Sequence, residues 1–123
     1  MTTITICTTC RAEATREDRE SPPTGEAFLR AVMEAAGATP LRVRGVACLM
    51  GCNHGCNAAI SAPDKMTYVL GRFDGNATDA RALVDYALLH AESSGGIVPF
   101  RQWPAGVKGH FIARVPPLDD EAG

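Results

Sequence analysis

The residues best suited to chemistry are five cysteines, which occur in two short groups. Cys7 and Cys10 form a Cys-x-x-Cys pair near the start, and Cys48, Cys52 and Cys56 follow in the middle of the chain. Thiolates are the soft ligands that bind iron–sulfur clusters, zinc and Cu(I). Because no other cysteine occurs in the sequence, the pattern favours an inorganic centre over a framework of disulfides.

Two glycines directly precede cysteines of the second group, Gly51 before Cys52 and Gly55 before Cys56. Glycine allows a close backbone approach and a positive φ, so amide N–H groups near these positions can point at sulfur. Such hydrogen bonds tune the reduction potentials of iron–sulfur clusters. We therefore expect both glycines to help bind the cofactor. Two cysteine pairs from two loops would match a [2Fe–2S] cluster, with two thiolates for each iron.

Composition excludes several classes of protein. The chain has 123 residues and a formal net charge of −2, which fits one domain of ordinary size. Its arginines are scattered, so we expect no nucleic-acid partner. No apolar run approaches the ~20 residues that span a bilayer, and no signal peptide is recognisable at the start. We expect a cytoplasmic protein with reduced thiols.

The elements around the cysteines predict that the two groups meet. Alternating β-branched residues predict a strand over 2–7, and a second strand is expected over 41–48. A helix over 24–36 separates them, which makes a parallel β-α-β unit the natural topology. A right-handed crossover places both strand ends at the same edge of the sheet. Each strand delivers a cysteine group to that edge.

The remaining pattern completes a thioredoxin-like α/β fold of order β-α-β-β-β-α, a mixed sheet flanked by helices. Strands over 57–62 and 66–73 form a hairpin, and a second helix runs over 78–92, capped by Asn76 or Thr78. We assign residues 1–96 to this domain. Residues 97–123 form an irregular tail rich in proline and aromatic residues, packed on the body or on a partner rather than forming a separate domain.

Each helix carries a stripe of apolar residues at helical spacing. The stripes expected to be buried are Phe28, Leu29, Val32, Met33 and Ala36 in the first helix, and Leu83, Val84, Ala87, Leu88 and Ala91 in the second.

His90 lies near the C-terminal end of the second helix, and the helix dipole alone explains a histidine at this position.

The segment Cys48-Leu49-Met50-Gly51-Cys52, followed by Asn57-Ala58-Ala59-Ile60 and a hairpin, resembles the second ligand loop of the thioredoxin-like [2Fe–2S] ferredoxins. The whole chain is more similar still to a bacterial family of predicted metal-binding proteins of unknown function associated with cobalamin gene clusters. The resemblance to the ferredoxins implies an electron carrier rather than an enzyme. It also implies a redox partner protein and a homodimer. The cluster ligands that it implies are Cys7, Cys10, Cys48 and Cys52.

Alternatives remain open at this stage. The ferredoxins separate their first two ligands by a longer loop, and they tend to have proline where this chain has Cys56, so Cys56 could replace Cys52 or be a spare thiol. A structural zinc site is the main alternative, and a dithiol oxidoreductase at Cys7 and Cys10 is another. His54 could ligate a metal, although a loop histidine is more often solvated. No acid–base pair, phosphate loop or nucleophile elbow suggests an enzyme.

Overall fold

The computed structural model describes residues 2–11, 24–47, 49 and 55–118. Over these residues the chain forms one five-stranded mixed sheet and two α-helices. Two short 3₁₀ turns, Phe100–Gln102 and Ala105–Val107, precede the last strand. In chain order, the elements are β1 (Thr3–Cys7), α1 (Thr24–Ala36), β2 (Arg42–Val46), β3 (Ala58–Ser61), β4 (Thr67–Leu70), α2 (Ala77–Glu92) and β5 (Phe111–Val115).

The sheet has the order β2-β1-β3-β4-β5. β1 and β2 are parallel, and their register places Cys7 beside Val46. The other neighbouring strands are antiparallel. The predicted β-α-β unit is therefore confirmed, and the carboxyl ends of β1 and β2 lie side by side. That edge carries the first cysteine group.

The core lies on the face of the sheet that the helices cover. Ile4, Ile6 and Ile60 share this face by register and are fully buried, and α1 packs on β1, β2 and α2. Met33, predicted in the buried stripe of α1, is 54% exposed. The buried stripe of α1 is narrower than predicted. Its large buried side chains, Phe28 and Val32, are four residues apart and share one face of the helix. Met33 follows Val32 by one residue, so its side chain points about 100° away from that face.

The ends of α2 are fixed by side chains. Of the two predicted caps, Asn76 is the one observed: its Oδ1 accepts a hydrogen bond from the Asp79 amide at 2.8 Å. At the other end, Lys65 Nζ donates to the carbonyl oxygens of His90 and Ala91 at 3.1 and 2.8 Å. The ammonium group at this end binds helix carbonyls that have no partner within the helix. Its positive charge also interacts favourably with the negative end of the helix dipole.

The His90 side chain has a structural role that the dipole explanation missed. Its ring is fully buried, with Nε2 2.7 Å from the Met66 carbonyl and Nδ1 3.0 Å from the Thr2 hydroxyl. A carbonyl can only accept, so Nε2 carries the hydrogen, and Nδ1 accepts from Thr2. Burial lowers the pKa of His90. The neutral ring therefore ties the start of the chain to the hairpin.

The tail, expected to be irregular, also contributes a strand. β5 pairs with β4 and adds a fifth strand, with a register shift opposite Val69 and Leu70. The register shift interrupts the alternation of side-chain directions along this five-residue strand, so its sequence lacks a clear strand pattern. Four rings pack edge to face or tilted, with centroids 4.5 to 6.2 Å apart. We call this group the aromatic cluster: Tyr68, Tyr86, Trp103 and Phe111. Among the described residues, no helix has the length and apolar character needed to cross a membrane.

Candidate functional site

Three cysteines lie together at one end of the sheet, and we call them the thiol site: Cys7, Cys10 and Cys56. Cys7 is the last residue of β1, and Cys56 lies just before β3. Their exposed fractions are 1%, 3% and 0%. The other predicted site residues lie outside the described part of the chain: Cys48, Gly51, Cys52 and His54.

Hydrogen bonds to sulfur distinguish Cys7 from its neighbours. Burial alone raises the pKa of the Cys7 thiol, but hydrogen bonds from the Cys10 thiol, the Leu49 amide and Thr9 outweigh it and lower the pKa overall. The Thr9 hydroxyl lies 3.8 Å from the Cys7 sulfur. Donors aimed at sulfur stabilise the thiolate. Cys7 is therefore the thiol in this site best prepared to lose its proton.

Cys10 is held in the opposite state. Burial and its hydrogen bond to Cys7 raise the pKa of Cys10 to about 12. The Cys10 sulfur also lies 3.2 Å from Asn57 Oδ1. A thiol has one hydrogen, so it can be donated either to this amide oxygen or to an ionised Cys7. The pair thus has one acidic thiol and one that keeps its proton.

The second cysteine-bearing loop reaches the first at Leu49. Its backbone amide donates to the Cys7 sulfur, and Leu49 directly follows Cys48 in the sequence. Two residues before Cys48, the Val46 carbonyl accepts a hydrogen bond of 2.8 Å from the Thr8 amide. The backbone at Val46 and Ala47 therefore lies beside Thr8 and Thr9.

The start of α1 packs directly on the first cysteine loop. The Gly25 amide donates to the Cys10 carbonyl at 2.9 Å, and a Cβ at Gly25 would lie only 2.0 Å from the Cys7 carbonyl oxygen. Only glycine allows this approach. A helix N-terminus favours a nearby negative charge, so α1 contributes to an environment that suits a thiolate.

Cys56 belongs to a different local structure. Its amide and carbonyl form hydrogen bonds of 3.2 and 3.3 Å with the backbone of Phe73. Burial, followed by the negative charges of Cys7, Asp79 and Asp74, raises the pKa of Cys56 to about 12. The thiol is therefore neutral in the metal-free protein at physiological pH.

Gly55 is needed for a close backbone contact. A Cβ at Gly55 would lie 2.4 Å from the Arg11 carbonyl oxygen, so no side chain fits there. This contact explains the glycine through chain packing. The role in cofactor binding that we predicted for Gly55 stays a prediction, because the neighbour that excludes a side chain is a carbonyl and not a sulfur.

The thiol site fits one part of a metal centre. Cys7 and Cys10 lie close enough for each to change the pKa of the other, and two adjacent sulfurs suit two ligand positions on one metal. Within residues 2–11, 24–47, 49 and 55–118, no three Cys, His, Asp or Glu side chains form a group that could hold a metal ion. Further ligands would have to come from the segment around Leu49, where two more cysteines occur in the sequence.

Sequence reasoning missed two polar partners of the thiols. Asn57 is buried and contacts both cysteines of the first pair: Oδ1 is an acceptor for Cys10, and its carbonyl accepts from the Cys7 amide at 3.1 Å. A polar residue between Cys56 and an apolar strand is a signal that could have found it. The backbone amide of Leu49 has no such signal, because any residue type supplies one.

The fold defined by these elements is that of the thioredoxin-like ferredoxins. A solved structure titled as a thioredoxin-like [2Fe–2S] ferredoxin from Aquifex aeolicus superimposes with a TM-score of 0.58. The alignment covers 95% of this chain and 94% of that one, at 15% sequence identity. The chain belongs to the family described as protein of unknown function (DUF1636), whose model matches residues 4–117 and so includes β5. Comparison with curated proteins gives no match.

Proposed function

We propose that this protein binds one [2Fe–2S] cluster and transfers single electrons. The observation that carries the proposal is the parallel pairing of β1 and β2, which places Cys7 beside Val46. Cys48 follows Val46 by two residues in the sequence, so the two cysteine groups start from neighbouring strand ends. The fold adds support, since the ferredoxin from Aquifex aeolicus shares it and is titled as a [2Fe–2S] protein.

In this proposal, Cys7 and Cys10 hold one iron, and Cys48 and Cys52 hold the other. When bound, such a cluster accepts and releases one electron at a potential set by hydrogen bonds to sulfur and by burial. The chain supplies both influences at Cys7, which is 1% exposed and accepts a bond from the Leu49 amide. The protein's contribution is to bury the sulfurs, orient them and stabilise their negative charge.

The test is anaerobic purification followed by an absorption spectrum and by iron, acid-labile sulfide and zinc analysis. A coloured protein with equal iron and sulfide, two of each per chain, supports the proposal. A colourless protein with one zinc per chain contradicts it and favours the structural zinc site. Reconstitution with iron and sulfide under the same conditions shows whether a metal-free preparation can still assemble the cluster.

Serine substitutions then assign the ligands. Cys7→Ser, Cys10→Ser, Cys48→Ser and Cys52→Ser are each expected to bleach the cluster or shift its spectrum. Cys56→Ser is the matched control, because this thiol is neutral and lies in a separate backbone pairing with Phe73. If Cys56→Ser bleaches the centre and Cys52→Ser does not, Cys56 is the fourth ligand and the assignment is wrong.

A second candidate function is dithiol–disulfide exchange by Cys7 and Cys10. It is favoured by the lowered pKa of Cys7 beside the raised pKa of Cys10, at the start of α1. In this reaction the Cys7 thiolate attacks a substrate disulfide, and Cys10 then displaces the reduced substrate. Metal-free protein incubated with a model disulfide should form the Cys7–Cys10 bond, and Cys10→Ser should trap the mixed disulfide. A cluster-loaded protein that forms neither product supports the electron carrier.

The cellular setting belongs to the proposal as well. The resemblance to a family associated with cobalamin gene clusters suggests corrin metabolism as the use of the electron. We also propose a cytoplasmic protein with a separate redox partner, and a homodimeric state of the kind that the resemblance to the ferredoxins implies. Sedimentation of the purified protein tests the homodimer directly, and a monomer at micromolar concentration would contradict that part.

A further inference from the structure

A shallow apolar groove lies beside β5, the last strand of the sheet. No strand pairs with its outer edge in the part of the chain that the structure describes. The groove has a volume of about 290 Å³. It adjoins the aromatic cluster, and the residues that line it include Tyr68, Val98, Trp103, Phe111, Ile112 and Arg114.

The apolar character of this edge is unusual for an unpaired strand. Ile112 and Val115 of β5 are 42% and 52% exposed, and nearby Ile97 is 53% exposed. Edge strands normally carry charges that discourage pairing with another chain. β5 exposes one such charge, Arg114, whereas β2 at the opposite edge exposes two, Arg42 and Arg44. The β5 edge combines exposed apolar side chains with a groove.

The segment that carries β5 has charges of one sign, and Asp64 lines a second groove with Val115 at the end of the strand. Residues 93–118 contain Arg101, Lys108 and Arg114 and no aspartate or glutamate, in a chain whose formal net charge is −2. Arg114 lies on β5 itself and lines the groove, and Lys108 Nζ lies 4.8 Å from the centre of the exposed Phe100 ring. An acidic partner would find opposite charge here, and a basic partner would be repelled.

We propose that the β5 edge and its groove bind an extended segment of a partner protein in which apolar and acidic side chains alternate. The segment adds to the sheet as a further strand, so that its backbone pairs with the outer edge of β5. Main-chain hydrogen bonds supply affinity in this mode, and pockets for alternate side chains supply specificity. Successive side chains of a strand point to opposite faces, so the apolar side chains occupy the groove and the carboxylates face the other way. The carboxylates are attracted by the positive charge of the segment as a whole.

The proposed surface is connected to the thiol site through one stack of rings. β5 begins directly after His110, whose ring lies parallel to that of Phe73 at 4.4 Å. Phe73 in turn pairs with the backbone of Cys56. A strand bound along β5 would thus extend toward the cysteine end. The inference rests on the edge and not on the metal, so it stands whether or not the cysteines hold a cluster.

The experiment uses the fluorescence of Trp103, the only tryptophan of the chain and a residue of the groove. The probes are a soluble heptapeptide of alternating valine and glutamate and its counterpart with lysine in place of glutamate. We expect the acidic peptide to shift the emission and to bind about tenfold more tightly than the lysine peptide. Equal binding of the two peptides, or no binding of the acidic one, overturns the proposal.

Two charge reversals give the matched comparison. Arg114→Glu on β5 should weaken binding of the acidic peptide about tenfold and strengthen binding of the lysine peptide. Arg42→Glu makes the same change on the opposite edge of the sheet and should leave both affinities unchanged. If both variants lose affinity equally, binding reflects net charge alone, and the assignment of β5 is wrong.

Hydrogen exchange on the unaltered protein locates the peptide without any substitution. Added acidic peptide should protect amides within Phe111–Val115, and protection confined to Arg42–Val46 contradicts the proposal. Concentration-dependent self-association that Arg114→Glu abolishes would assign the edge to a second copy instead. Truncation after Leu118 that raises peptide affinity tenfold would assign it to the chain's own acidic end, which is also contrary to the proposal.

Discussion

The thiol site and the aromatic cluster are both buried, but burial has opposite consequences in the two regions. In the aromatic cluster, removing the rings from water is favourable, and the rings pack edge to face. In the thiol site, burial opposes ionisation, and it raises the pKa values of Cys10 and Cys56 to about 12. Only Cys7, which accepts hydrogen bonds from neighbours, escapes this effect. Burial in the aromatic cluster therefore stabilises the fold, whereas burial in the thiol site affects which sulfur can lose its proton.

The largest expected effect is on stability, from a change in the aromatic cluster. Tyr86 is fully buried and contacts the rings of Trp103 and Phe111. Tyr86→Ala should lower the free energy of unfolding by about 3–5 kcal/mol, the usual cost of deleting a large buried ring. Urea denaturation of the metal-free protein measures it.

Tyr86→Phe sharpens the same experiment. The Tyr86 hydroxyl is buried and makes no hydrogen bond of good geometry among the described residues. Burial, followed by the nearby Tyr68 hydroxyl, raises the pKa of Tyr86. Removing the Tyr86 hydroxyl should therefore leave stability within about 1 kcal/mol of the original or raise it slightly. A loss as large as that of Tyr86→Ala would show that the hydroxyl, and not the ring, stabilises this region.

A smaller loss of stability is expected at the start of α1. Gly25→Ala places a methyl group against the Cys7 carbonyl, 2.0 Å away before relaxation, and should cost about 1–3 kcal/mol. Gly95→Ala is the control, because nothing lies within 4 Å of a Cβ there. We also expect Gly25→Ala to change the ionisation of Cys7, since α1 must move. An unchanged thiol would contradict the coupling between helix and site.

Mild acid should destabilise the protein through His90. Burial lowers the pKa of this ring below its ordinary value of 6.5, so the folded state favours the neutral form. That contribution is complete above pH 6.5 and is lost as the pH falls through the folded-state pKa. Denaturation at pH 7.5 and at successively lower pH values measures the loss. His90→Gln, which has no titrating ring, should remove this part of the pH dependence.

The smallest expected effect is on the pKa of one thiol. Thr9→Ala removes a hydroxyl that lies 3.8 Å from the Cys7 sulfur. Because this side chain is one of the groups that lower the pKa of Cys7, the substitution should raise that pKa. The pH profile of Cys7 alkylation in metal-free protein, followed by mass spectrometry, gives the value. Thr8→Val is the control, because the Thr8 hydroxyl donates to the Val46 carbonyl. Equal shifts in both variants would contradict the assigned donor.

Local patterns predicted the helices, the hairpin and the parallel pair, since each rests on short-range periodicity and capping. They did not predict β5, whose pairing with β4 depends on a partner far away in the sequence and includes a register shift. Cysteine spacing identified the candidate site. The Leu49 amide and the Asn57 side chain were missed, because their roles come from loop geometry. His90 was missed because its partners, Thr2 and Met66, lie in other elements.

The most direct test of the central claim is the number of electrons that the purified protein accepts. An anaerobic coulometric titration, followed by electron paramagnetic resonance, counts them for each chain. A [2Fe–2S] protein accepts one electron and becomes paramagnetic, and this is the predicted result. Uptake of two electrons without a paramagnetic signal would indicate a Cys7–Cys10 disulfide. No uptake, with one bound zinc, would equally contradict the account.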